Sequence, residues 1–310
     1  MAPPDLQRPT LLDGLLVVDK PVGPTSHDVV ARVRRLTGER RIGHAGTLDP
    51  LASGVLVLLL GRATRLARFY SAASKTYVAG ISLTGATDTY DAEGTSIPAE
   101  VVVPPPDADT LAGALARFRG TFTQVPPPFS AKKVGGVKAY DLARRDRPVA
   151  LDPVTVTVYE LTLLGCEGDR ADVRVVCSAG FYVRALAHEI GLAVGCGAHL
   201  ASLRRTASGS VGLDRAVPLG DIEASPGRVK DRVEPMDRML EWLPGAVVTA
   251  EAVGWIAHGR AVPRASVVRW LGEPRDAKGP VRLLGPAGHL AAVADEGDTT
   301  GPLQPTVVLT

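Results

Sequence analysis

Gly43-His44-Ala45-Gly46-Thr47-Leu48-Asp49-Pro50-Leu51-Ala52-Ser53-Gly54-Val55-Leu56 places one carboxylate in a glycine-punctuated loop directly ahead of an apolar run. Gly43 and Gly46 permit close backbone approach or positive φ, and Pro50 fixes φ and removes a donor. Val55 to Leu60 reads as a buried strand. Asp49 is therefore expected at the edge of a sheet, rigidly held and facing a cleft. An isolated Asp between Gly and Pro also reads as a turn residue capping its own backbone, and the loop alone leaves both readings open.

Upstream, Gly14 to Lys20 is an apolar run closed by Pro21, a second buried strand. Thr25 or Ser26 can then N-cap a helix with Asp28 in its first turn, an apolar stripe of Val29, Val30, Val33 and Leu36, and Gly38 as its stop. Downstream, an arginine-bearing helix is expected from about Ala63 to Ser71. Tyr77, Ala79, Ile81 and Leu83 then alternate as a strand from Lys75, with Tyr77 near its start. Asp88, Asp91 and Glu93 fall in a polar loop, and Leu111 to Phe118 reads as a short helix. Val154 to Val158 and Val173 to Cys177 read as strands that are antiparallel across a turn at Gly165 to Arg170. Phe181 to Val194 reads as a helix stopped by Gly195-Cys196-Gly197.

Between Val125 and Pro148 periodicity is lost, three prolines and Gly135-Gly136 appear, and six basic residues gather. A long basic excursion of this kind suits closure over a ligand. The composition shifts again at Pro244-Gly245. The expected organisation is a disordered lead over 1–12, a large domain over 13–244 containing the 125–148 excursion, and a small β-rich module over 245–310.

A chain of 310 residues, 45% hydrophobic and 22% charged, has the composition of a globular protein. Val55 to Leu60 is far too short an apolar run to span a membrane, and the first residues lack the apolar core of a signal peptide, so a cytoplasmic address is the default. Cys166, Cys177 and Cys196 are odd in number and lack C-x-x-C spacing, which reads as buried small side chains rather than disulfides or metal ligands. Net charge is only +2, but between Arg32 and Lys75 nine Lys or Arg face Glu39 and Asp49 alone. Such clusters beside a reactive loop favour a polyanion, although each alone could be a solvated helix face.

The Gly43 to Leu56 stretch, Lys75-Thr76-Tyr77 and Gly180-Phe181-Tyr182-Val183-Arg184 together resemble the bacterial TruB family of tRNA pseudouridine synthases. The resemblance runs from about Gly14 to about Val211. It implies an α+β pseudouridine synthase fold, a mixed and largely antiparallel sheet flanked by helices, followed by a small PUA-like β module. It also implies a reaction in which a uridine's N-glycosidic bond is broken and remade through carbon 5, with neither metal nor organic cofactor. The implied substrate is the T-arm stem-loop of tRNA, at position 55, with no obligatory protein partner and a monomer as default.

By the same resemblance Asp49 is the catalytic carboxylate, acting as nucleophile at C1′ or as base at C2′, and Arg184 is the cation that keeps it ionised in a dry site. Tyr77 would stack on the target base and move a proton from C5. His44 would fill the space left by the flipped nucleotide, Tyr182 and Leu203 would line the uracil pocket, and Lys20 with Pro21 would brace the catalytic loop. Each also has a plain reading: core for Tyr77, Tyr182 and Leu203, helix surface for Arg184, loop for His44. Phe181 departs from the family, which usually has a threonine or similar residue there. Three rivals stand: a tRNA-folding chaperone in which catalysis is secondary, a glycosidase using Asp49 with Asp88 or Asp91 as acid, and a guide-RNA-dependent synthase.

Overall fold

The computed structural model describes residues 12–98, 103–129, 133–134, 137–138, 151–272, 279–296 and 301–310. Strand β1 (Gly14–Lys20) runs into helix α1 (Ser26–Thr37), then come β2 (Ile42–His44), β3 (Ala52–Leu60), α2 (Ala67–Ala72) and β4 (Lys75–Ser82). Helix α3 (Ala108–Ala116), β5 (Gly120–Gln124), β6 (Val154–Glu167), β7 (Arg170–Cys177), α4 (Val183–Val194) and β8 (His199–Ser208) follow. One 11-stranded sheet takes the order β1-β3-β8-β4-β7-β6-β5, with Val217–Pro218 outside β1. Only β3 with β8 and β1 with Val217–Pro218 pair in parallel; the other pairs are antiparallel. The fold is thus α+β with a mixed, largely antiparallel sheet.

Local chemistry explains where elements start and stop. Thr25 and Asp28 form a reciprocal capping box for α1, and Gly38 ends it at φ 73°. The helix expected from Ala63 to Ser71 is divided: a 3-10 turn over Gly61–Leu66 precedes α2, because Gly61 sits at φ 58° and Asp13 accepts from the Arg62 N–H. Helix α4 starts two residues later than expected. Buried Gln124 grips the Tyr182 backbone from both sides, donating to its carbonyl and accepting from its N–H, which keeps Tyr182 extended at φ −111°. Helix α3 starts earlier, at Ala108, because Asp107 caps it through the Thr110 N–H.

Of the expected lead, residues 1–11 lie outside the described residues, while Leu12 packs against the core. The expected excursion lies largely outside them too; within it Lys133–Val134 pairs antiparallel with Val137–Lys138. From Gly245 onward a second, five-stranded sheet is built from β9 (Gly245–Val248), β10 (Val267–Leu271), β11 (Pro280–Leu284), β12 (Leu290–Glu296) and β13 (Leu303–Val308), in the order β10-β9-β11-β12-β13. It shares a core with the first sheet: Leu290, Val293, Val307 and Leu309 pack with Leu15, Val17, Val57 and Leu59.

Three arginines of the basic cluster join the two sheets. Arg62 pairs with Asp13 at 2.7 Å and donates to the Leu309 carbonyl, Arg65 donates to the Val308 carbonyl, and Arg68 donates to Thr306 Oγ1. Arg32 pairs with Glu223, and Arg34 donates to the Ile42 carbonyl. Of these, Arg32 and Arg62 are paired with carboxylates, whereas Arg34, Arg65 and Arg68 bond to neutral oxygens and stay exposed, as Arg35, Arg40 and Arg41 do.

Candidate active site

Gly46 and Gly54, at φ 102° each, bracket the Asp49 loop, and its backbone is tied down from several directions. Ser26, fully buried at the start of α1, accepts from the Leu48 N–H at 2.8 Å and donates to the Leu48 carbonyl at 3.0 Å. Gly23 N–H donates to the Pro50 carbonyl, and Ala45 N–H to the Val57 carbonyl. With its backbone satisfied in this way, the loop presents the Asp49 side chain outward instead of capping itself.

Arg184, in the first turn of α4, meets that side chain. Its Nη2 lies 3.0 Å from Asp49 Oδ2 and its Nη1 lies 3.4 Å from Asp91 Oδ2. The same guanidinium donates to the carbonyls of Thr89 at 3.1 Å and Phe129 at 2.8 Å. Arg184 and Asp91 are buried, whereas the Asp49 side chain remains 46% exposed, so the expected dryness of the carboxylate is not a property of the free protein. Asp91 also accepts from Thr89 Oγ1 and the Glu93 N–H. A carboxylate so engaged is suited to hold a cation and poorly suited to serve as a glycosidase acid, the role it had in the rival reading.

Asp49, Tyr77, Tyr182, Arg184 and Leu203 converge on one pocket of about 240 Å³, together with Lys75 and Arg205. That volume, a little under the roughly 300 Å³ at which small-ligand clefts begin, is on the scale of a single small group such as a nucleoside. Tyr77 is 8% exposed, and burial above all raises its hydroxyl's pKa. Phe181 serves both as pocket lining and as core, meeting Phe122 edge-on at 6.5 Å.

Two of the expected site residues lie outside this pocket. Lys20 is fully buried behind the loop, where its Nζ donates to the carbonyls of Pro21 and Pro24. Desolvation pulls its pKa down to about 8, against the opposing attraction of Asp49. It braces the 21–24 turn that bonds Pro50, as expected of a bracing residue, but it does not line the pocket. His44 stands on β2 with its ring edge-on to His27 at 5.4 Å, and burial, helped by the nearby His27 and Arg205, lowers its pKa.

Sequence reading missed Arg205 and Gln124 as parts of this site, and it offered Asp91 only as the acid of the rival glycosidase reading. Arg205 carried a signal: Arg204 and Arg205 are adjacent in a strand, so they face opposite ways. Arg204 turns out to Asp19 at 2.7 Å, and Arg205 turns in and is 1% exposed.

A family model described as TruB family pseudouridylate synthase (N terminal domain) matches residues 34–183, and one described as tRNA pseudouridylate synthase B C-terminal domain matches residues 184–241. The chain is 47% identical over 256 residues to a tRNA pseudouridine synthase B of Solibacter usitatus, covering 81% of this chain and 86% of the relative. It is 40% identical over 307 residues to the protein of the same name from Thermobifida fusca, covering 96% and 99%. Among solved structures it is similar to a chain of a Cbf5-Nop10-Gar1 complex, with TM-score 0.75 at 28% identity over 96% of this chain and 85% of that one. It is also similar to a chain of an H/ACA RNP bound to a substrate RNA containing 2′-deoxyuridine, with TM-score 0.73 at 27% identity over 100% and 92%.

Proposed function

The chain belongs to the TruB family of pseudouridylate synthases, and from that membership we propose that it converts the uridine at position 55 in the T-loop of tRNA to pseudouridine, with Asp49 as the catalytic carboxylate. The observation that carries the reading is the pairing of Asp49 with buried Arg184 at the mouth of a nucleoside-sized pocket that also holds Tyr77.

The pocket is too small for a paired base, so the target must leave its stack, at a cost of about a few kcal/mol. Exposed side chains of the basic cluster, Arg35, Arg40 and Arg41 among them, are available to offset that cost through phosphate contacts. Entry of the nucleoside displaces water from the half-exposed Asp49, and the carboxylate becomes dry only then. Arg184 is already in place, so ionised Asp49 meets C1′ or the C2′ proton without losing its counter-charge. Tyr77 and Leu203 take the base between them. Tyr77 is a neutral phenol at neutral pH whose burial raises its pKa further, and its ring stacks on the base beside the C5 proton.

The closer relatives by sequence carry the name tRNA pseudouridine synthase B, whereas the solved structures at 27–28% identity are protein or ribonucleoprotein complexes. We take the former as the guide: a standalone enzyme, monomeric and cytoplasmic, reading the T-arm directly, with no obligatory protein partner. No helix among the described residues is long and apolar enough to cross a membrane. The second sheet is read as a PUA-like RNA-binding module. Incubation with an unmodified tRNA transcript, followed by chemical mapping of pseudouridine, tests the assignment: a single modified site at position 55 supports it, and modification elsewhere or none contradicts it.

A further inference from the structure

We propose that Arg205 is a positioning residue for this reaction, a buried guanidinium that fixes the Asp49 loop against the strand carrying Tyr77. The proposal rests on the isomerase reading of the site given above. Arg205 is 1% exposed, and the partners of its side chain are mainly backbone carbonyls of the loop and of β3: Nε donates to Val55 at 2.7 Å, Nη2 to Gly46 at 3.0 Å and Nη1 to Thr47 at 3.4 Å. Its other flank faces the partner strand. In the antiparallel β8–β4 register Arg205 stands opposite Tyr77, and its guanidinium neighbours the Tyr77 hydroxyl. On the β3 side it pairs in parallel with Gly54, just beyond the loop.

One side chain therefore spans the two groups that the reaction must hold in a fixed relation. A planar fork can satisfy three carbonyls in different directions, which a lysine ammonium on a flexible stem does not reproduce. Among the described residues no carboxylate forms an ion pair with Arg205, so its charge adds to the positive character of the pocket in which Asp49 works. A displacement of about 1 Å between reacting groups can cost 10²-fold in rate, so loss of the fork should appear in the chemical step and not in binding.

The test compares parent, Arg205→Lys and Arg205→Gln by single-turnover conversion of tRNA transcript, by tRNA Kd and by thermal unfolding. The expected result is a fall of at least tenfold in the single-turnover rate with Kd within threefold of the parent, and Lys failing to restore the rate. If Arg205→Gln does not fold, Arg205→Lys decides alone. A rate per bound tRNA equal to the parent's, or a rate loss that merely tracks the unfolded fraction, overturns the proposal. A parent that converts no tRNA defeats the functional reading and this one with it, whereas conversion by parent and variants alike defeats only the role of Arg205.

Discussion

The Arg184 guanidinium is shared by two carboxylates, Asp49 at 3.0 Å and Asp91 at 3.4 Å, and the two differ in environment: Asp91 is buried, and Asp49 is half exposed. One carboxylate anchors the cation and the other remains available to substrate. Arg184→Met should therefore abolish turnover while leaving tRNA affinity within roughly tenfold, about 1.4 kcal/mol, because the arginine faces a carboxylate and carbonyls and not a phosphate. Asp91→Asn should lower turnover less, since the Thr89 and Phe129 carbonyls still hold the guanidinium. Filter binding and single-turnover rates check both; a large loss of binding in Arg184→Met would refute the assignment.

Gly54→Ala should be among the most damaging small substitutions in the chain. A Cβ there would lie 2.1 Å from the Arg205 carbonyl oxygen, and φ is 102°. Overpacking against backbone and left-handed strain together cost about 2–5 kcal/mol. Urea unfolding should show that loss, and a variant within 1 kcal/mol of the parent, on the order of an ordinary surface change, would contradict the packing described.

Lys20 and Lys75 should shape stability on the alkaline side. Burial first of all pulls both down to about 8. Between about pH 8 and the ordinary lysine value of 10.5 the unfolded chain keeps protons that the folded chain has shed, so these groups make stability rise with pH across that window. Below about 8 both states are protonated and the cost of burying the cations is fully present. Lys75→Met should flatten the rise, as read from urea midpoints on either side of pH 8; an identical slope in parent and variant would contradict it.

Arg62, Arg65 and Arg68 should contribute little to RNA binding. Their guanidiniums engage Asp13 and residues 306–309, so the triple R62A/R65A/R68A variant should keep the parent's salt dependence of tRNA affinity while its C-terminal strand becomes easier to cleave. Each phosphate contact contributes roughly 0.7–0.9 to the slope of log K against log salt, so a fall of about 2 or more would restore these arginines to the RNA interface.

Much of this arrangement was legible in the residues. Alternation at Tyr77, Ala79 and Ile81, the capping signals around Thr25 and Asp28, and Gly38 and Gly195 as stops all report local physics, and the strands and helices follow them. The α+β fold and the convergence of Asp49, Tyr77, Tyr182, Arg184 and Leu203 agree with the family resemblance. Strand β8 was not legible. It lies between β3 and β4, yet His199 to Ser208 is too polar to alternate, because Arg204 and Arg205 serve the loop and Asp19 instead of the core. The fate of the arginines after β3 was equally hidden, since their partners lie more than two hundred residues away in sequence. Asp91 read as one polar loop residue among several, and only its burial against Arg184 distinguishes it.

The most direct test of the central claim is tritium release from a tRNA T-arm stem-loop labelled with 5-³H-uridine, with the parent compared against Asp49→Asn. The account predicts release by the parent alone, with both proteins binding the stem-loop. Release by Asp49→Asn at the parent's rate would remove Asp49 from the chemistry, and a parent that binds without releasing tritium would point instead to a tRNA-folding role.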